Sequence, residues 1–371
     1  MVRRSFDSFQ LQFFVSFLLV LSTRVQSGWT GDDLIPGSRY TSARLAALGD
    51  SALSLDDSVG SGLFYNPANL AKIRKPTLEI GNYSLYANSG VYSHLGLNSY
   101  QVFNLNANAQ NLQNNSGTAM GAGWAVFPNV GFAGFGLGVL VQSQVAGTLN
   151  SDQTVTYRTQ SQLIPTVGYG FRLLDGALRF GYSLQFVNQA VGAPTASNNA
   201  SLSYTAGLAQ GSGFSHTFGL SISPMIRYMP TLSLVVRNAF GTSYSSTSLV
   251  SFSESPHGVP SSEPMSFDAS LSWSMRVEAG VMSRWSLTYR DLSDTAQSPL
   301  LLLHTSAGLE LSFKDRFFLR AGLREGYPSA GLGVGRPGAE LSFAYYTYNV
   351  GDVASFQPDT RVMLHYRAAV F

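Results

Sequence analysis

Apolar and polar residues alternate over most of this chain with the side-chain period of two that belongs to a strand. In the longest run, 276–290, Val277, Ala279, Val281, Trp285, Leu287 and Tyr289 fall on one face. Arg276, Glu278, Arg284, Ser286, Thr288 and Arg290 fall on the other. Read as one strand, these fifteen residues exceed the roughly five or six of a soluble strand and the about nine to eleven that cross a bilayer at a tilt. The pattern recurs where Leu178, Phe180, Tyr182, Leu184 and Phe186 alternate with Arg179, Gly181, Ser183 and Gln185. It recurs again over 267–274, 316–324 and 340–345.

A soluble sandwich also alternates, but its loops need not differ by side. Here they differ. Counted back from the C-terminus, the connections near 336–338, 314–315, 275, 224–230, 173–176 and 128–131 are short. Those interleaved with them, at 349–359, 291–300, 241–264, 192–213 and 104–119, are mostly long and rich in Ser, Asn and Gly. Only 325–328 and 146–153 break the rule. Short turns on one side and long loops on the other mark an outer-membrane barrel. The expected fold is all-β, a transmembrane antiparallel β-barrel of about fourteen strands, an even number as bacterial barrels require. Residues 78–103 read either as one kinked strand or as a hairpin of the segment before the barrel.

Residues 28–77 do not alternate. Thr41 or Ser42 can cap a short helix over 43–48 that ends at Gly49. Asn66 is a natural N-cap, Pro67 suits the first helical position, and Ala68 to Lys72 continue the turn. The chain thus divides into a leader (1–27), a small helical plug or hatch (28–77) and the barrel (78–371). The leader has Arg3 and Arg4 at its start, an apolar run from Leu11 to Leu21, and Val25-Gln26-Ser27 as a small-x-small cleavage site. That run is short for a membrane anchor, which needs about twenty residues. Export and the barrel pattern together place the chain in a bacterial outer membrane.

Composition agrees. Charged residues are 12% of the chain, against roughly a quarter in soluble domains, and the only lysines are Lys72, Lys75 and Lys314. A lipid-facing band cannot hold charge cheaply. Loss of Arg3, Arg4, Arg24 and Asp7 with the leader brings the net charge from +2 to balance, which gives no electrostatic case for nucleic acid. The absence of cysteine excludes disulfides and thiolate metal sites.

The stretch Ala43-Arg44-Leu45-Ala46-Ala47-Leu48-Gly49-Asp50-Ser51-Ala52, then Asp56-Asp57, then Phe64-Tyr65-Asn66-Pro67-Ala68-Asn69-Leu70-Ala71 resembles a signature of the FadL-type outer-membrane transporters of hydrophobic compounds. Their relatives include the PorV-type barrel proteins, to which 308–311, 319–324 and 331–333 are similar. The resemblance implies a fourteen-stranded barrel blocked by an N-terminal hatch. Ligand would pass from an outer groove to a pocket beside the hatch, then through the hatch or a lateral gap. It makes Asn66, Pro67 and Ala68 a candidate gate, against the plainer reading of a helix cap that seats the plug. Asn69 stands where the family usually has Gly. Outer-membrane proteins also commonly end in an aromatic residue read by the barrel assembly machinery, and Phe371 fits. Its parity, however, holds Met363, His365, Arg367 and Ala369 while the apolar face is Val362, Leu364, Tyr366, Ala368 and Val370, a mismatch that a bulge would explain.

Other chemistry is weakly supported. Gly49-Asp50-Ser51 echoes an esterase element, but no histidine is placed to deprotonate the serine. Gly333 to Gly338 matches G-x-G-x-x-G, yet Pro337 and the strand after it forbid the helix a dinucleotide site needs. The five histidines lack ligand spacing, so no metal, cofactor or enzymatic activity is expected. Arg276, Glu278, Arg284, Arg290, Glu310, Arg316, Arg320, Arg324 and Glu340 share one parity and are expected to face the lumen. They read chiefly as a salt-bridge ladder holding wall and plug; the alternative is an electropositive path for an anionic head group. Two functions follow. One is hatch-gated diffusion of hydrophobic or amphipathic, fatty-acid-like molecules, with lipid and such a ligand as partners. The other is a PorV-like barrel that transports nothing and binds a secreted or surface protein.

Overall fold

The computed structural model describes residues 39–55, 58–94, 119–149, 154–193, 195–196, 207–226, 228–293, 301–336, 338–349 and 358–370. The expected leader, Asp56-Asp57 and Phe371 lie outside the described residues. Fourteen antiparallel strands close into a barrel, with one short extra strand. They are β1 (Thr77–Asn88), β2 (Ala119–Val126 continued by Asn129–Phe132), β3 (Phe135–Leu149), β4 (Val155–Leu173) and β5 (Leu178–Gly192). Then come β6 (Ala209–Ile222), β7 (Thr231–Arg237), β8 (Ser266–Glu278), β9 (Val281–Tyr289) and β10 (Thr305–Phe313). The last four are β11 (Phe317–Arg324), β12 (Tyr327–Arg336), β13 (Ala339–Asn349) and β14 (Pro358–Ala369). The extra strand, Thr195–Ala196, adds to β4.

Closure comes from β1, which pairs with β14 through Tyr83↔Tyr366 and Leu85↔Leu364. The uncertain stretch after residue 77 is therefore one barrel strand, followed by a short helix, Ser89–His94. The pairing slips between Glu79 and Gly81, so the bulge in this seam lies on β1. Through its described length β14 keeps Leu364 and Tyr366 outward and buries Met363 and His365.

Alternation has the same physical content around the wall. Leu85, Leu137, Leu332 and Leu341 are each about half exposed or more (58%, 53%, 49% and 49%). A contiguous apolar surface of that kind would aggregate in water, but it is the face a bilayer solvates. Aromatic rings pair across strands on it, stacked in Trp273 with Trp285 (6.1 Å) and tilted in Phe135 with Tyr169 (4.3 Å). The opposite parity is small and polar: Ser183, Ser233, Ser270, Ser272 and Thr288 are buried against the contents of the barrel.

Two boundaries differ from the sequence reading. The run 276–290 is a hairpin: β8 ends at Glu278, the chain turns at Ala279-Gly280, and β9 begins at Val281. Gly280 takes the positive φ (+81°) that this turn needs, and alternation carries on through the tight connection because the pairing bulges between Arg276 and Glu278. The short connection expected near 128–131 lies at 133–134. Phe127-Pro128 is instead a kink inside β2, kept in the wall by bonds from Phe127 N to Asn82 O (2.9 Å) and Val139 N to Pro128 O (3.1 Å).

The plug fills the lumen with α1 (Ala43–Ala47), α2 (Val59–Phe64) and a 3-10 helix (Pro67–Lys72). Ser42 caps α1 and Ser58 caps α2 through their side chains. Leu45, Leu48, Leu53, Leu63 and Leu70 form its core and meet inward Phe127, Leu140, Ile164, Val187 and Val235 of the wall.

Candidate gate: the plug and the wall around it

The Asn66 element begins with local chemistry. Asn66 Oδ1 accepts from the Ala68 N–H (3.1 Å), and Pro67, whose fixed φ suits a first turn, lacks the N–H that would otherwise go unmet. Asn66 Nδ2 reaches outward, donating to Leu53 O (3.0 Å) and to Ser221 Oγ on β6 (3.1 Å). Asn69 Nδ2 donates to the same Leu53 carbonyl (2.9 Å), and its backbone is not in the left-handed region that would require glycine. Asn66 and Ala68 have no exposed surface. The wall is cut to fit them. A Cβ on Gly181 of β5 would lie 2.2 Å from the Pro67 carbonyl oxygen, and one on Gly219 of β6 would lie 2.2 Å from Asn66 Oδ1.

The other side of the plug is held by charge. Asp50, just past α1, pairs with Arg324 Nη1 (2.8 Å) and Arg290 Nη1 (2.9 Å), and its carbonyl accepts from Arg290 Nη2 (2.6 Å). Glu310, with no exposed surface, meets Arg44 Nε of α1, Arg284 Nη1 and Arg320 Nε, all at 2.8 Å. Arg320 continues to Glu340 (2.7 Å), and Arg324 lies over the Tyr348 ring at 4.1 Å. Of the charges expected in the lumen, Arg284, Arg290, Glu310, Arg320, Arg324 and Glu340 are brought together here.

Arg276, Glu278 and Arg316 are not. All three are exposed at the short-turn end, Arg276 and Glu278 beside the Ala279-Gly280 turn and Arg316 within the turn 314–316. Parity alone cannot see that a strand has ended. The partners that sequence reasoning missed are those of the plug, Arg44 and Asp50. Their signal was a charge pair of opposite sign within a buried, alanine-rich segment.

Ser51 Oγ is bound to Leu48 O (2.7 Å) and Ser286 Oγ (2.6 Å), a structural anchor of the plug. The Gly333–Gly338 motif spans the end of β12 and its turn into β13. Among the described residues no cluster of three His, Asp or Glu could hold a metal ion. A cavity of about 230 Å³ opens at the short-turn end between Val59, Ile73, Thr77, Glu79 and Arg367. A second, about 40 Å³, lies beside Arg39, Tyr86, Trp124 and Arg361. The second is the size of a water or two, and both are below the roughly 300–1,000 Å³ of ordinary ligand pockets.

The chain is similar in fold to a solved structure, that of the Pseudomonas putida toluene transporter TodX. The TM-score is 0.53 at 11% identity, covering 89% of this chain and 97% of that one. The barrel is FadL-like in fold. A Pseudomonas aeruginosa FadL homologue (TM-score 0.47, 12% identity, 91% and 98% covered) and the CymD monoaromatic hydrocarbon channel (0.44, 11%, 90% and 94%) are also similar. No family model and no curated protein matches the chain. In this FadL-like fold, the Asn66 element and the charge network are the two sides on which the plug is seated.

Proposed function

We propose that this protein is an outer-membrane barrel through which hydrophobic or amphipathic, fatty-acid-like molecules diffuse under control of the plug. The observation that carries the reading is a lipid-faced barrel of TodX-like fold whose lumen is occupied by a separate N-terminal segment. A segment seated by small residues and hydrogen bonds on one side can shift without unfolding the wall. Asn66, Pro67 and Ala68 sit on that side and act as the moving part. A fluorescent long-chain fatty acid entering protein-containing vesicles faster than protein-free ones tests this, as does bound amphiphile detected by mass spectrometry. Vesicle flux equal to the protein-free control and no bound amphiphile would refute it.

The long loops, rich in Ser, Asn and Gly rather than strongly apolar, favour a second reading. In it the barrel is a closed PorV-like adapter that presents its long loops to a secreted or surface protein. Capture of one defined exported protein, lost on trimming loop 241–264, together with absent flux, would decide for it. In either case we expect delivery to the membrane by an export leader cleaved after Ser27 and by recognition of the last strand, ending in Phe371, by the assembly machinery.

A further inference from the structure

Among the described residues the wall lacks a strand beyond the end of β7. β7 has only seven residues, and its pairing with β6 stops at Phe218↔Val236. β6 continues from Thr217 back to Ala209 with that edge lacking a strand, a position where unpaired backbone groups are costly. Residues 238–265 supply the missing partners. Ala239 N donates to His216 O (2.8 Å), Ser212 and Ser245 exchange backbone bonds (3.0 and 2.8 Å), Gln210 N donates to Gly258 O (3.2 Å) and His257 N to Leu208 O (3.0 Å). The segment also wraps over the strand tips. Asn188 and Gln210 share the parity of lipid-facing Phe186 and Phe214, yet they are buried because 249–253 covers them. Leu249 N donates to Asn188 Oδ1 (2.9 Å), and Phe252 N and Ser253 N donate to Gln210 Oε1 (2.8 Å each).

The same segment reaches the plug. Glu263 pairs with Arg39, the first described residue of the plug, and receives the Tyr244 hydroxyl. Arg39 also donates to Gln185 Oε1 on β5 (2.8 Å) and to Asn238 Oδ1 (3.3 Å), while Asn238 Nδ2 donates to Glu263 (3.1 Å). Positive φ at Asn238, Phe240 and Gly241 turns the chain sharply out of β7 at the root of the segment. Just below it Phe240 (85% exposed) meets Phe218 and His216 edge-on, an aromatic group of the kind that marks a membrane boundary.

We propose that residues 238–265 are a detachable panel of the barrel wall, latched to the plug through Glu263 and Arg39. Its release opens a window between β6 and β8 at the water–lipid boundary and frees the plug at the same time. The panel is held by neutral hydrogen bonds, from the backbone along one strand edge and from side chains such as Asn188, Gln210 and Ser212, together with the Arg39–Glu263 ion pair. Removing that pair leaves both strands flanking the window intact. The proposal rests on the transport reading only for what passes through the window; the motion itself does not depend on it.

The test uses the absence of native cysteine. Spin labels at Leu249→Cys on the panel and Tyr345→Cys on the opposite wall report the panel's position in lipid vesicles. The expected result is one narrow distance distribution with Arg39 and Glu263 intact, and a second, longer population in Glu263→Gln and Arg39→Gln. Gel mobility before and after heating confirms that each variant is a folded barrel. Distributions identical to that of the parent would overturn the proposal.

A second arm uses Ser212→Cys with Ser245→Cys. A hydrogen-bonded antiparallel pair has Cα atoms about 5.5 Å apart, within disulfide reach. Oxidation should cut vesicle uptake of a fluorescent fatty acid at least tenfold, and reductant should restore it. Equal, nonzero uptake in both states would also overturn the panel. If even the reduced protein passes no fatty acid, the transport reading fails, and the spin-label distances alone decide whether the panel moves.

Discussion

Replacing Glu310 by Gln should loosen the plug more than any other single change in the charged network. The carboxylate is fully buried and serves Arg44, Arg284 and Arg320 at 2.8 Å each. Its three partners are not equally vulnerable. Arg284 has a side chain 30% exposed and can turn to water, so its share is small. Arg320 keeps Glu340 (2.7 Å) and Ser342 (3.1 Å). Arg44 is the one partner that belongs to the plug. Breaking a buried pair by removing one member costs about 3–5 kcal/mol. Gln keeps one acceptor and the shape, so the expected loss is at the lower end, about 3 kcal/mol. Hydrogen exchange in lipid or detergent reads this directly. Amides of 43–55 should exchange about a hundredfold faster, since about 1.4 kcal/mol corresponds to a factor of ten, while those of β3 to β5 keep their protection. Arg276→Ala, at an exposed strand end, is the control and should change nothing. If Glu310→Gln leaves exchange over 43–55 within twofold of the parent, the network does not hold the plug.

Gly219→Ala places a methyl 2.2 Å from Asn66 Oδ1 and should cost about 1–3 kcal/mol by overpacking, read as faster exchange over 66–72. Asn66→Ala removes the cap and the bonds to Leu53 and Ser221; a loss of about 1–2 kcal/mol in the same amides is expected, and if the element is the moving part, uptake rises. Acid should release the panel. Burial disfavours charge on Glu263, but Arg39 and hydrogen bonds from Tyr244, Arg39 and Asn238 outweigh it and hold the carboxyl below its usual range. A carboxyl lowered on folding contributes fully above its unfolded pKa of about 4.3 and stops contributing as pH falls through its folded value. Exchange over 238–265, corrected for intrinsic rates, should therefore be flat from about pH 6 to 8 and rise only below about pH 4. Flat exchange down to pH 3 would argue against the ion pair as the latch.

Much of the wall was legible because a barrel strand must put opposite chemistries on its two faces. Leu178 to Phe186 and Phe267 to Ser274 face as their parity predicts. Parity fails where the backbone departs from it. The Ala279-Gly280 turn hid inside an unbroken alternation and carried Arg276 and Glu278 into water, while Arg316 fell in the next short turn, 314–316. The Asn66-Pro67 start was visible because capping is local. Its fit against Gly181 and Gly219 was not, because nothing in a strand's sequence tells which glycine a distant segment will approach. The panel was hidden for the same reason: in sequence, 241–264 is a polar loop like its neighbours, and only the short β7 leaves an edge for it to complete.

The two sides of the plug differ in what holds them, and that difference says where it can yield. Toward the end of β9, β10 and β11 the ties are buried ion pairs, Asp50 with Arg290 and Arg324 and Arg44 with Glu310, each costing several kcal/mol to break because a charge is left in a dry place. Toward β5 and β6 they are neutral hydrogen bonds such as Gln185 to Leu63 and Asn66 to Ser221, worth about 0.5–1.5 kcal/mol each, and water can replace them as they open. A moving plug would therefore pivot on α1 and swing its 3-10 helix away from Gly181 and Gly219. The panel and the Arg39 end adjoin that same side, on β5 and β6. One motion can then open the window and the path beside the plug together. A disulfide between the 3-10 helix and β6 should block uptake as fully as one that pins the panel, whereas one tying α1 to β13 should leave it unchanged. Equal inhibition by both plug disulfides would mean that the plug leaves as a whole, and the asymmetry of its bonds would then have no bearing on passage.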